Sequence, residues 1–121
     1  MTTRRQRLGA FGEELAVRRL HELGYRILQR NYRCPVGEAD IVAMDGGVLV
    51  FAEVRTRRGE RLGTPEESIG PRKQAKMVEV AQTYVAEQNY SGDWRLDVVV
   101  VALDAYGRLQ RCEVIPNAVE G

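Results

Sequence analysis

The sequence predicts one mixed α/β domain spanning residues 1–121, a sheet with a central hairpin flanked by two helices. The expected order is αβββαββ. Three observations carry this. Apolar residues recur at helical spacing over residues 8–23 and again after Pro71. Two strand-like runs flank Asp45-Gly46-Gly47, a strong hairpin signal. Residues 95–103 form a strongly β-branched run. The length of 121 residues suits a single domain, and an apolar share of 44% supplies a core.

The first helix is expected over 8–23, with Leu8, Phe11, Leu15, Leu20 and Leu23 on its apolar side. Gly24 ends it, because glycine adopts the left-handed conformation beyond a helix cheaply. A strand over 25–33 follows, then a turn at Cys34-Pro35-Val36-Gly37. The hairpin strands are expected at 38–44 and 48–55, and residues 56–65 read as a polar, basic loop. Pro71, suited to a first helical turn, starts a second helix that reaches about Gln88. Strands over 95–103 and 108–115 flank a turn at Asp104-Ala105-Tyr106-Gly107. Trp94 and the five tyrosines lack the interleaving with basic residues of a stacking platform, and read as core or core edge.

Charge adds a direction. The net charge is only +1, but residues 1–62 hold 12 basic and 8 acidic side chains, and residues 63–121 hold 6 and 9. Sixteen of the 18 basic residues are arginine, suited to bidentate phosphate contacts or simply a product of codon bias. Two cysteines without a CxxC pair, and the single His21 in a charged helix, argue against a zinc site, a disulfide framework and a histidine-based triad. No apolar run reaches the roughly 18 residues of a membrane span. The basic start of the chain lacks the apolar stretch of a signal peptide. These features imply a reduced, cytoplasmic domain with no membrane partner.

The hairpin brings two carboxylates together. With Gly46-Gly47 as the turn, Asp40 falls opposite Glu53; with Asp45-Gly46, it falls opposite Phe51. In both registers Asp40 and Glu53 share a face, since side chains alternate with period two, whereas a three-residue loop would separate them. That face continues as Val42, Met44, Leu49 and Phe51, and the other carries Ala39, Ile41, Ala43, Val48, Val50, Ala52 and Val54. Carboxylates at the rim of such a sandwich are costly without a counter-charge. A divalent cation supplies one, since Mg²⁺ takes one or two carboxylates plus waters and phosphate oxygens. Surface ion pairs among Glu38, Asp40, Glu53 and Arg55 are the alternative.

Gly37-Glu38-Ala39-Asp40-Ile41-Val42 and Val50-Phe51-Ala52-Glu53-Val54-Arg55 resemble the core of the PD-(D/E)XK nuclease superfamily. More closely they resemble the small bacterial YraN family within it, whose relatives include archaeal Holliday-junction resolvases. Gly9, Glu13, Ala16, Leu20 and Gly24 are similar to its first helix, Lys73, Gln74 and Lys76 to its second, and residues 95–99 to the following strand. The resemblance implies a restriction endonuclease-like αβββαβ core, with a mixed sheet between two helices. It implies Asp40, Glu53 and the carbonyl of Val54 as ligands of Mg²⁺ or Mn²⁺, with Glu13 leaning over the same site. The superfamily's usual lysine two residues beyond the glutamate is here Arg55, which stays protonated and can only orient and stabilise charge.

On the second helix Gln74 extends the apolar stripe of Val78, Ala81 and Val85. It could meet a phosphate or a metal-bound water, or instead bond a neighbouring loop. Arg72, Lys73 and Lys76 oppose the helix dipole there, which an anionic partner would offset, the alternative being an ordinary solvated helix surface. The expected function is therefore nucleic-acid binding with metal-dependent phosphodiester cleavage, DNA being favoured over RNA and branched DNA included. Asp40, Glu53, Arg55, Glu13 and Gln74 form the candidate catalytic set, and Arg57, Arg58, Arg61, Arg72, Lys73 and Lys76 the phosphate contacts. A non-catalytic module that keeps the fold is the alternative, and a homodimer is one assembly open to it.

Overall fold

A computed structural model of the chain describes residues 3–59 and 69–119. Helix α1 (Arg4–Glu22) starts earlier than its apolar spacing implies, because a capping box extends it. Thr3 Oγ1 accepts from the Gln6 N–H at 3.1 Å, and Gln6 Oε1 accepts from the Thr3 N–H at 2.8 Å. At the other end Gly24 takes φ +91°, and the Tyr25 N–H reaches back to the Leu20 carbonyl at 2.9 Å.

The face α1 turns inward is Gly12, Ala16 and Leu20, each four residues from the next, rather than the large apolar residues alone. Ala16 and Leu20 are fully buried, whereas Phe11 and Leu23, expected on the apolar side, are 48% and 46% exposed. Gly12 explains the choice. A Cβ there would sit 1.9 Å from Thr56 Oγ1 and 2.8 Å from Thr56 Cβ, so only glycine lets α1 lie this close to the sheet.

The five strands are β1 (Arg26–Cys34), β2 (Gly37–Asp45), β3 (Val48–Arg58), β4 (Trp94–Leu103) and β5 (Leu109–Val119), and they lie in that spatial order. All neighbours are antiparallel except β3 and β4, which run parallel and are connected through helix α2 (Pro71–Glu87). This helix–three strands–helix–two strands order is consistent with a restriction endonuclease-like core. Asp45 pairs with Val48, so Gly46-Gly47 is the hairpin turn, with Gly46 at φ +60°.

Helices cover both faces of the sheet. Val42, Leu49, Phe51 and Leu96 pack against Met77, Val80, Ala81 and Tyr84 of α2. Ile41, Ala43, Val50, Ala52, Val99 and Val101 pack against Ala16 and Leu20 of α1. Edge-to-face contacts tie Tyr84 to Tyr32 at 5.0 Å and to Phe51 at 5.4 Å. Tyr106, expected in or beside the core, is instead 80% exposed on the β4–β5 turn.

Three departures from the sequence reading bear on function. Ala39 packs on the α2 side and Ile41 on the α1 side, so the period-two alternation breaks at Asp40. Asn31, which the register sets across from Asp40, takes φ +55°, a conformation that asparagine tolerates better than most residues. The basic loop also starts later than expected. Thr56, Arg57 and Arg58 belong to β3, because β4 offers a parallel backbone partner as far as the Arg58–Leu103 pair. Finally, β5 continues through Pro116, which its place at the sheet edge permits.

Candidate functional site

A cleft of about 970 Å³ opens at the end of the hairpin remote from its turn, bounded by the first half of α1 and the ends of β1, β2 and β3. Asp40, Glu53, Val54, Arg55, Glu13, Arg57 and Arg58 all line it. The register produces this convergence. The last β2–β3 pair is Ile41–Ala52, and beyond it Asp40 Oδ2 accepts from the Val54 N–H at 2.8 Å. Asp40 is thus tethered to the backbone beside Glu53.

Glu53 is only 8% exposed. Its Oε1 lies 3.3 Å from Lys73 Nζ and 4.0 Å from Arg55 Nη1. The Lys73 contact brings the opening turn of α2 to the site, and no strand register relates those two positions. Burial pushes the Asp40 carboxyl up to about 7, and the neighbouring Glu53 charge pushes the same way. The Val54 N–H and Lys73 act against that rise.

Glu13 does lean over the cleft, but it is held by its surroundings. Asn31 Nδ2 donates to Glu13 Oε1 at 3.0 Å, and Arg30 Nε lies 3.5 Å from the same oxygen. Asn31 and Arg30 were not among the expected site residues. The signal for Asn31 was an asparagine inside a strand, where a left-handed kink re-aims neighbouring side chains.

The remaining expected residues divide. Gln74 Nε2 donates to the Ile69 carbonyl at 3.0 Å, so it bonds the segment that leads into α2. Arg57 Nη1 donates to the Thr56 carbonyl at 3.0 Å. Arg58 spends Nε and Nη2 on the Ala105 carbonyl, at 3.0 and 2.8 Å. Arg72 and Lys76 stand exposed on α2, outside the lining of the cleft. Arg61 lies outside the described residues.

Asp97 is a structural node. It is fully buried and does not line the cleft. It accepts from Arg95 Nε at 2.9 Å, from the Tyr25 hydroxyl at 3.2 Å and from the Asn117 N–H at 2.9 Å. Arg95 also reaches Asp45 Oδ2 at 2.8 Å, which ties the hairpin tip to β4.

Chemically, the cleft offers two adjacent carboxylates with cationic neighbours. Among the described residues no group of three or more His, Cys, Asp or Glu side chains could hold a metal. The donor set therefore does not suit a site closed entirely by side chains. It does fit Mg²⁺ or Mn²⁺, hard cations satisfied by one or two carboxylates when water and phosphate oxygens complete the shell.

The comparisons with known proteins agree on one family. Residues 12–101 match the model described as "Uncharacterised protein family UPF0102". A UPF0102 protein of Moorella thermoacetica is 47% identical over 119 residues, covering 98% of this chain and 99% of the relative. One from Pelotomaculum thermopropionicum is 45% identical over 119 residues, with coverage of 98% and 99%. Another from Roseiflexus castenholzii is 44% identical over 122 residues, covering 99% of this chain and 98% of the relative. With the match running through the first helix, the hairpin, the second helix and β4, the chain belongs to the UPF0102 (YraN) family.

Proposed function

We propose that this chain is a cytoplasmic nucleic-acid-binding protein that hydrolyses phosphodiester bonds with Mg²⁺ or Mn²⁺, with DNA preferred over RNA. The observation that carries the reading is the Asp40–Glu53 pair. Two neighbouring, largely buried carboxylates, one held well above the usual carboxylate range, stand in a cleft whose rim supplies Arg33, Arg55, Arg57 and Arg58. Such a pair is costly to ionise alone and is relieved by a divalent cation. Asp40, Glu53 and the Val54 carbonyl would hold that cation. When bound, it supplies charge stabilisation on the scissile phosphate and a lowered pKa for an attacking water.

The chain's own residues do the rest. Arg55 offers charge to the phosphoryl oxygens. Lys73, anchored on Glu53, and the β3 arginines bind the flanking phosphates. Asn31 and Arg30 hold Glu13 at the cleft wall.

A panel of linear, flapped and four-way DNA, with RNA alongside, tests the reading in the presence of Mg²⁺ or Mn²⁺. Cleavage of at least one substrate is expected, with Glu53→Ala abolishing turnover while binding stays nearly intact. Cleavage that survives Glu53→Ala would overturn the assignment. A second reading, a binding module without turnover, is favoured by arginine at position 55 and by the commitment of Glu53 to Lys73. Arg55→Lys separates the two. An active site tolerates or gains from the deprotonatable amine, whereas a retired one cuts nothing in either form.

A further inference from the structure

Phe11 is half exposed although it is the largest apolar side chain of α1, and its surroundings are specific. A groove of about 640 Å³ is lined by Arg4, Arg7, Leu8, Phe11, Arg58 and Leu103, with Gly107 at its wall. Among the described residues no carboxylate lines it, in contrast to the adjoining cleft, which holds Glu13, Glu38, Asp40 and Glu53. The two share Leu8 and Arg58, so the groove leads out of the cleft over the first turns of α1. Arg58 is preorganised by its two hydrogen bonds to the Ala105 carbonyl, which leave other guanidinium N–H groups available. Beside Gly107, Tyr106 is 80% exposed with Arg108 over its ring at 5.4 Å.

We infer that this groove binds an unpaired nucleotide segment that continues from the nucleic acid in the cleft, with a base stacked on Phe11 and its phosphates on Arg4, Arg7 and Arg58. The inference rests on the nucleic-acid reading above and narrows its substrate class to nucleic acid with a junction between paired and unpaired strands. The chemistry is the combination of three guanidinium groups with a half-exposed aromatic ring. Phosphates satisfy the first at any sequence, and only a base released from pairing can lay its own face on the second. A fully paired duplex keeps its base faces stacked inside.

Fluorescence anisotropy compares a labelled blunt duplex with the same duplex carrying a short single-stranded extension, without divalent metal so that nothing is cut. The wild-type chain is expected to bind the extended form about tenfold more tightly, the order of one stacked base. Phe11→Ala should erase that preference and leave blunt-duplex affinity unchanged. Phe11→Trp should keep it and show altered indole emission on binding, which separates loss of stacking from loss of fold. Arg4→Ala with Arg7→Ala should flatten the salt dependence for the extended form only. Equal affinity of the wild type for both duplexes, or a preference that survives Phe11→Ala, overturns the groove while leaving the cleft reading standing. Equal displacement of the extended duplex by polyglutamate and by unpaired oligonucleotide also overturns it, marking a general anion surface. Failure to bind either duplex overturns the nucleic-acid reading itself.

Discussion

At the scale of single residues, Asp40 is under electrostatic tension from burial and from Glu53. Its carboxyl is pushed up to about 7 by burial and by Glu53, so the folded state holds a proton that the unfolded chain releases near the ordinary aspartate value of about 3.9. Between those values the native state binds more protons, and stability falls as pH rises through the window. The expected slope from Asp40 approaches 1.4 kcal/mol for each pH unit crossed, levelling off above pH 7. Asp40→Asn keeps an acceptor for the Val54 N–H and removes the titration. Denaturant unfolding from pH 4.5 to 8 should therefore show the decline in wild type and a flatter profile in the variant. Added Mn²⁺ should recover stability at high pH in wild type but not in Asp40→Asn, since the cation needs the ionised pair. Parallel profiles for the two proteins would exclude Asp40 as the source.

The elements show how such a pair is positioned. Helix α1 reaches the sheet through Gly12, and the cleft depends on that approach because Gly9, Ala10 and Glu13 of the same helix form one of its walls. The helix carries its own control. A Cβ at Gly9 meets nothing within 4 Å, whereas one at Gly12 strikes Thr56. Gly9→Ala should stabilise the protein by up to about 1 kcal/mol through helix propensity. Gly12→Val should destabilise it by about 1–3 kcal/mol through overpacking. Equilibrium urea unfolding reads both, and equal effects at the two positions would contradict the packing described. On the opposite face, α2 brings Lys73 within 3.3 Å of Glu53. The crossover from β3 to β4 packs α2 against the sheet and brings its opening turn to Glu53.

For the molecule as a whole, the proposed binding of nucleic acid is a matter of charge distribution. Net charge is +1, so attraction to a polyanion has to come from local clustering around the cleft and the adjoining groove. Binding should be largely independent of sequence, because the described elements offer arginine contacts at a cleft rim and no helix set to read base edges. Each phosphate neutralised should add roughly 0.9 to the magnitude of the slope of log K against log salt. Replacing Arg57, Arg58 and Arg61 with alanine should reduce both affinity and slope, with thermal melting to confirm the fold, since Arg58 also braces the β4–β5 turn. An affinity flat in salt would rule out phosphate contacts as the basis of binding.

Much of this was legible in the order of residues, because it depends on local rules. Gly24 ends α1, Asp45-Gly46-Gly47 turns the hairpin, Pro71 opens α2, and the spacing from Asp40 to Glu53 returns both to one end of the hairpin. Turn chemistry and strand period act over a few residues and survive into the fold. Contacts that link distant segments were not legible. The face α1 buries was chosen by the close approach of Gly12 to Thr56, which exposes Phe11 beside three arginines. The break in alternation at Asp40 lies across from the kink at Asn31 in another strand. Lys73 meets Glu53 across the crossover, and Gln74 finds the Ile69 carbonyl instead of the cleft. Local sequence specifies which conformation each segment prefers. Only tertiary packing decides which side chains share the resulting spaces, because those distances depend on how separate elements approach one another.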